Sequence, residues 1–105
     1  MAEKRMFIYL ITNTINGRKY IGRTCSKVNK RLAQHFCDSR YILNNCPLHK
    51  DMKLFAKSAF NIEILYEFYT DNIYDADSVE LEFINKYNTF YPNGYNKRRV
   101  IRNGK

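Results

Sequence analysis

Glycine and proline are scarce in this chain of 105 residues, which has four glycines and two prolines. It contains no internal repeat and no stretch of proline, glycine or serine that would act as a linker. These absences exclude a collagen-like protein and a low-complexity segment. With 45% apolar and 27% charged residues, the chain has the composition of a globular protein, and its length fits a single domain over residues 1–105.

Long apolar runs are also lacking. The run from Met6 to Ile11 is far shorter than the roughly 20 residues that cross a bilayer. It is too short for the core of a signal peptide, and no small-residue cleavage site follows it. The three cysteines form an odd number without a CxxC pair, so we expect no disulfide framework. We therefore expect an intracellular protein, in the cytoplasm or the nucleus, that does not bind a membrane.

A zinc site is not expected either, although two histidines and two cysteines lie close together in the sequence. Structural zinc ligands usually come in pairs with C-x₂₋₄-C or H-x₃₋₅-H spacing. His35 and Cys37 are two residues apart and would point to different faces of a helix, while Cys46 and His49 follow later. We interpret the thiols as small buried or surface groups.

Acidic residues are few, and their distribution is uneven. Ten Asp and Glu stand against eighteen Lys and Arg, which gives a net charge of +8. Residues 1–50 hold ten basic and two acidic side chains, whereas residues 51–97 hold four basic and eight acidic ones. The tail, residues 98–105, adds four more basic side chains. This separation of charge suits a polyanionic partner, and nucleic acid is the partner that we expect.

Three segments have the patterns of β-strands. Residues 6–11 are apolar and rich in β-forming side chains, and residues 19–23 follow a turn at Asn16-Gly17. Asn-Gly is a strong hairpin signal because both residues tolerate a positive φ. Residues 60–69 alternate apolar and polar side chains, which predicts a third strand with one buried face.

Three further segments have helical periodicity. We predict helices over residues 27–39, with Ser26 as the N-cap, over 48–58, and over 78–88, with Asp77 as the N-cap. The fold class is therefore α/β, a small single domain with a three-stranded, mostly antiparallel sheet flanked by helices. The element order is β-β-α-α-β-α, with the core at about residues 6–97.

Five short segments bear on the function of the chain. Phe7-Ile8-Tyr9 and Tyr20-Ile21-Gly22 flank the predicted hairpin, and residues 30–36 contain an Arg-x-x-x-His pattern. Val79 to Ile84 contains two glutamates, Glu80 and its competitor Glu82, which faces elsewhere, and Gly94-Tyr95-Asn96 comes near the end. In this order the segments resemble the motifs of the GIY-YIG nuclease superfamily, over about residues 6–97. Phe7 departs from the glycine that is common there, which puts in question the local backbone shape more than the chemistry.

The resemblance implies that Glu80 is the sole protein carboxylate on one Mg²⁺ or Mn²⁺ ion. Mg²⁺ keeps several waters and binds through one or two carboxylates plus substrate phosphate, so one glutamate suffices. The alternative is a capping box, in which Glu80 bonds back to the amide of Asp77.

The resemblance makes Tyr9 the general base on the attacking water and lets Tyr20 position the water or the phosphate. Which tyrosine is the base stays open. Because the reference pKa of tyrosine is about 10, nearby positive charge must lower it for this role. Arg31, Lys19 and the metal are the candidate sources of that charge.

Three further side chains take roles from the same resemblance. Arg31 would hold the scissile phosphate, and Asn96 would hold the site together by hydrogen bonds. His35 would bond to the phosphate or a tyrosine, or act as the base itself. Without the resemblance, these three would be a solvated cation, a turn residue and a structural histidine. The candidate phosphate contacts along the DNA are Lys19, Arg23, Lys30, Arg98 and Arg99.

These residues together predict a divalent-metal-dependent DNA endonuclease in which water attacks the phosphodiester in line. Low sequence specificity or structure-selective cutting is expected, because a domain this small offers little surface for reading bases. Two alternatives stay open. The first is a catalytically silent nucleic-acid-binding module, and the second is a nuclease subunit that depends on a second copy or on a targeting protein.

Overall fold

An antiparallel sheet of three strands forms the centre of the computed structural model, which describes residues 3–41 and 46–97. The strands are β1 (Lys4–Asn13), β2 (Lys19–Thr24) and β3 (Phe60–Thr70), in the order β2-β1-β3. The predicted hairpin between β1 and β2 is confirmed, and Gly17 has the positive φ of 78° that this turn requires. β1 is unbroken through Phe7, which pairs with Thr24.

The sheet packs on both faces, which explains the continuous apolar sequence of its central strand. Tyr9 and Ile11 of β1 pack on one face with Leu48 and Met52. Ile8 and Leu10 pack on the other face, in a second cluster. Since neighbouring side chains of a strand point to opposite faces, the middle of β1 supplies both cores and is therefore apolar at every position from Met6 to Ile11.

Helices α1 (Val28–Asp38) and α2 (Pro47–Leu54) pack on the Tyr9 face, and α3 (Ile73–Tyr87) packs on the Ile8 face. The predicted element order β-β-α-α-β-α and the α/β class are confirmed. Among the described residues, no helix is long and apolar enough to cross a membrane.

The predicted ends of the first two helices need correction. Lys27 is the N-cap of α1, and Ser26 Oγ lies instead 3.0 Å from Thr24 Oγ1. α2 ends at Leu54 rather than at residue 58, because Phe55 takes an extended conformation and Lys57–Ala59 forms a separate 3₁₀ turn.

The start of α3 also differs from the prediction. The helix begins at Ile73 and not at residue 78, and its N-cap is Asn72, whose Oδ1 accepts from the amide of Tyr74 at 2.8 Å. Asp77 is therefore an interior residue of the helix, and its prediction as the N-cap was wrong. Asn and Asp are about equally good caps, so cap preference alone does not choose between Asn72 and Asp77.

β3 does not keep the single buried face that its alternating sequence predicts. Tyr9 pairs with Ile64 whereas Ile8 pairs with Tyr66, so Leu65 is an extra residue in the ladder. The extra residue shifts the alternation of side chains, so the apolar positions of the two halves of β3 face opposite sides of the sheet. Phe60 packs in the Tyr9 core, whereas Leu65 and Phe68 pack in the Ile8 core.

Candidate active site

Two tyrosines lie side by side on the Tyr9 face of the sheet. Tyr9 pairs with Gly22 across the hairpin, and the ring centroids of Tyr9 and Tyr20 are 6.3 Å apart. A Cβ atom at Gly22 would overlap the Tyr9 hydroxyl and would lie 2.9 Å from the Tyr20 ring. Glycine at this position therefore makes room for both phenol rings.

His35 comes from α1 and meets the hydroxyl of Tyr9. His35 Nε2 lies 2.8 Å from Tyr9 Oη, and both residues are 1% exposed. Its ring also stands edge-on to Tyr20, with centroids 5.4 Å apart. Burial is the main cause that lowers the pKa of His35, to about 3, and the positive charge of Arg31 adds to it. His35 is therefore neutral near pH 7.

Arg31 lies one helical turn before His35, and its charge acts on Tyr9. Burial raises the pKa of Tyr9, while the charge of Arg31 and its hydrogen bond to the phenol lower it. Burial is the larger effect, so the pKa of Tyr9 rises to about 12. Burial raises the pKa of Tyr20 further still. The net shift at both tyrosines is opposite to the lowering that an ionised base needs.

Glu80 approaches the tyrosines from α3. The side chain is buried, at 4% exposed, and its Oε1 lies 3.1 Å from Arg23 Nη1, which also pairs with Asp77. The negative charge of Glu80 contributes to raising the pKa of both Tyr9 and Tyr20. Because Asp77 is an interior helical residue, the capping-box interpretation of Glu80 was wrong.

The carboxylates around Arg23 have the chemistry that a hard cation requires. Asp77 and Glu80 both pair with the guanidinium of Arg23, so two carboxylates come together at this point. Within residues 3–41 and 46–97, no group of three or more His, Cys, Asp or Glu side chains could hold a metal together. Glu80 therefore fits Mg²⁺ or Mn²⁺, which bind through few carboxylates, water and phosphate, better than it fits a zinc cage.

Asn96 holds β2 from its outer edge. Its Oδ1 accepts from the amide of Ile21 at 2.8 Å, and its Nδ2 donates to the carbonyl of Ile21 at 2.8 Å. Thr89 Oγ1 donates to the same Oδ1, and the amide of Tyr95 donates to the carbonyl of Lys19. These bonds position the strand that carries Tyr20 and Gly22.

The predicted DNA contacts fall into three groups. Lys30 is exposed and lines a groove along the start of α1, together with Lys27 and Arg5. Lys19 is half-buried and bonds to the Gly17 carbonyl, and Arg23 is engaged by Asp77 and Glu80. Arg98 and Arg99 lie outside the described residues.

The sequence reasoning missed the part played by His49. Its Nε2 lies 2.8 Å from His35 Nδ1, so Tyr9, His35 and His49 form one hydrogen-bonded series. Its spacing from His35 carries no motif, and its closeness follows only from the packing of α2 against α1. Lys27 and Arg5 were also missed as groove residues. The only sequence signal for them was the excess of basic residues in the first half of the chain.

The sequence and the fold have counterparts in known proteins. Residues 5–96 match the model of the GIY-YIG catalytic domain, and the chain belongs to the GIY-YIG family. A relative from Invertebrate iridescent virus 6, "Uncharacterized protein 019R", is 30% identical over 95 residues. The match covers 90% of this chain and 34% of that protein, so the chain spans about a third of its relative's length.

Two solved structures are similar over nearly the whole chain. The catalytic domain of the homing endonuclease I-TevI has a TM-score of 0.72 at 25% identity, covering 90% of this chain and 99% of that one. A variant of the catalytic domain of the intron endonuclease I-TevI has a TM-score of 0.71 at 26% identity, covering 91% and 93%.

Proposed function

We propose that this domain is a divalent-metal-dependent DNA endonuclease that hydrolyses phosphodiester bonds. The observation that supports it most is the 2.8 Å contact between the Tyr9 hydroxyl and the Nε2 of a neutral His35. This contact places a proton acceptor, His35, against the hydroxyl of Tyr9. The guanidinium of Arg31 and the buried carboxylate of Glu80 also act on Tyr9. Membership of the GIY-YIG family supports the reaction class.

Hydrolysis of a phosphodiester needs a nucleophilic water, neutralisation of charge at phosphorus and help for the leaving oxygen. One Mg²⁺ or Mn²⁺ ion held by Glu80 would supply Lewis-acid stabilisation of that charge. Arg31 binds the scissile phosphate through its guanidinium. In-line attack of water then leaves a 5′-phosphate and a 3′-hydroxyl.

Tyr9 takes the proton of the attacking water while its own proton moves to His35 Nε2. A lone Tyr9 with a pKa of about 12 would be ionised too rarely, whereas a neutral His35 can accept the proton in the same step. Tyr20 packs beside this pair and orients the water or the phosphate.

The DNA backbone follows the groove at the start of α1, where Lys27 and Lys30 offer positive charge and where Arg5, which pairs with Glu67, lines the wall. Such contacts position a strand and carry no sequence information. We therefore propose low intrinsic specificity or a preference for a DNA structure. A second copy of the chain or a targeting protein would add selectivity.

Glu80→Gln tests the proposal, because it keeps the shape of the side chain and removes its charge. We expect cleavage of labelled duplex, nicked, branched or single-stranded DNA with Mg²⁺ or Mn²⁺ to fall by at least about 10²-fold, with DNA binding retained. Glu82→Gln is the matched control, since Glu82 is exposed two positions further along the same helix.

Full activity of the Glu80→Gln protein would remove this residue from the metal. If neither the native chain nor the variant cuts DNA, but both still bind it in a salt-sensitive manner, the result favours the silent binding module or a nuclease subunit that lacks its partner.

A further inference from the structure

His49 is the one member of the hydrogen-bonded series to which the proposed reaction gives no role. It lies in the first turn of α2, is 7% exposed, and meets the side of the His35 ring that faces away from Tyr9. The contact joins Nε2 of His49 to Nδ1 of His35, so one proton lies between the two rings.

A neutral imidazole carries one proton, on either ring nitrogen. If His35 holds its proton on Nδ1, it donates to His49 and its Nε2 is free to accept from Tyr9. If His35 holds the proton on Nε2, it donates to Tyr9 and cannot receive the phenol proton. The ring nitrogen that His49 engages thus decides whether His35 can work as the base behind Tyr9.

The charges around the two rings favour the neutral pair that this arrangement requires. Burial lowers the pKa of both His35 and His49, and the positive charge of Arg31 lowers both further. Asp38 acts in the opposite direction on both rings, and the net shifts are downward. With both rings neutral, His49 Nε2 can serve as an acceptor.

We propose that His49 is a positioning residue whose Nε2 accepts the Nδ1 proton of His35 and so keeps His35 Nε2 open toward Tyr9. His49 touches neither water nor phosphate in this role, and it acts through His35 alone. The same logic applies wherever a group behind a catalytic histidine holds its tautomer. The tautomer can be tested in the native protein without any cleavage assay, and its effect on rate rests on the proposed endonuclease function.

The first test reads the tautomer directly in the native protein. Long-range ¹⁵N–¹H correlation spectra of ¹⁵N-histidine-labelled protein at pH 7 distinguish a protonated ring nitrogen from an unprotonated one. We expect His35 with its proton on Nδ1. A proton on Nε2 would overturn the proposal, whether or not the protein cuts DNA.

The second test compares His49→Gln with His49→Leu in single-turnover cleavage. The amide oxygen of glutamine can accept from Nδ1 and leucine cannot, so we expect about a 10- to 100-fold fall in rate for leucine and near-native rates for glutamine. Lys50→Leu, at the exposed next position, controls for changes in α2. DNA affinity should stay unchanged in all three proteins.

Native rates in the leucine variant, or equal losses in both His49 variants, would overturn the proposal. A leucine variant that does not fold leaves the glutamine variant and the native spectrum to decide. If the native chain itself does not cut DNA, the proposed function fails, while the spectrum still settles the tautomer.

Discussion

Tyr9 is the residue at which two opposing effects meet. Burial outweighs the charge of Arg31 and leaves its pKa at about 12. At pH 7 only about one molecule in 10⁵ would carry the phenolate, which corresponds to about 7 kcal/mol. A mechanism that starts from free phenolate would have this free energy added to its barrier. Transfer of the Tyr9 proton to the neutral His35, 2.8 Å away, avoids it.

We expect Tyr9→Phe to lower the single-turnover rate by about 10²-fold or more, which is the scale of general acid–base catalysis. The ring and its packing remain, so the fold and DNA binding should be preserved. Tyr20→Phe is the companion variant, and we expect a smaller loss there. A larger loss in Tyr20→Phe than in Tyr9→Phe would exchange the roles of the two tyrosines.

Gly22→Ala should damage the site by sterics alone. The new Cβ would overlap the Tyr9 hydroxyl and press on the Tyr20 ring, so we expect a destabilisation of about 1–3 kcal/mol and loss of cleavage. Urea denaturation and the cleavage assay measure the two effects. Gly17→Asn is the contrast, because no heavy atom lies within 4 Å of a Cβ there and Asn tolerates its φ of 78°. Equal losses in both variants would argue against the steric account.

Among the elements, β2 lies at the edge of the sheet, and a side chain forms the backbone hydrogen bonds that a further strand would form there. Asn96 satisfies both backbone groups of Ile21, and both would be left without these bonds in an alanine variant. A buried polar group without a partner costs about 1–3 kcal/mol.

We therefore expect Asn96→Ala to lower the free energy of unfolding by about 2 kcal/mol or more and to slow cleavage, because β2 carries Tyr20 and Gly22. Asn93→Ala, in an exposed part of the same loop, should change the free energy of unfolding by less than about 0.5 kcal/mol. Equilibrium denaturation in urea compares the two proteins. Similar stabilities would show that the edge of β2 does not need Asn96.

The element types could be predicted from sequence, but their ends and faces could not. The hairpin and the three strands follow from local patterns, and the helices follow from periodicity. The start of α3 could not be chosen locally because Asn72 and Asp77 are both good caps. The bulge at Leu65 also escaped prediction, since it depends on which core each half of β3 meets. Motifs made Tyr9, Tyr20 and Glu80 candidates, whereas the partner of His35 on α2 comes only from tertiary packing.

At the scale of the whole molecule, the buried histidines link stability to pH. The pKa of His35 is about 3 in the fold and about 6.5 in an unfolded chain. Below pH 6.5 the unfolded chain takes up a proton that folded His35 refuses, so the free energy of unfolding falls as the pH falls. The shift at His49 has the same direction.

We expect the free energy of unfolding to decrease by about 1.4 kcal/mol per pH unit below pH 6 for His35 alone. Urea titrations between pH 7.5 and 5 measure this slope. In the His35→Gln variant, the free energy of unfolding should depend less steeply on pH, by the amount that one proton contributes. This holds even if the variant is less stable at every pH. A slope that is the same in both proteins would show that His35 is protonated inside the fold.

The bond from Asn96 to Ile21 spans 75 residues, and a chain is made from its amino terminus. The ribosome therefore makes Tyr9, Tyr20, Arg31 and His35 long before it makes Asn96, the residue that holds β2 in place. A growing chain that stops short of residue 96 lacks the two bonds that hold Ile21 of β2. If the domain is the endonuclease that we propose, its full activity would arise only after residue 96 has been synthesised.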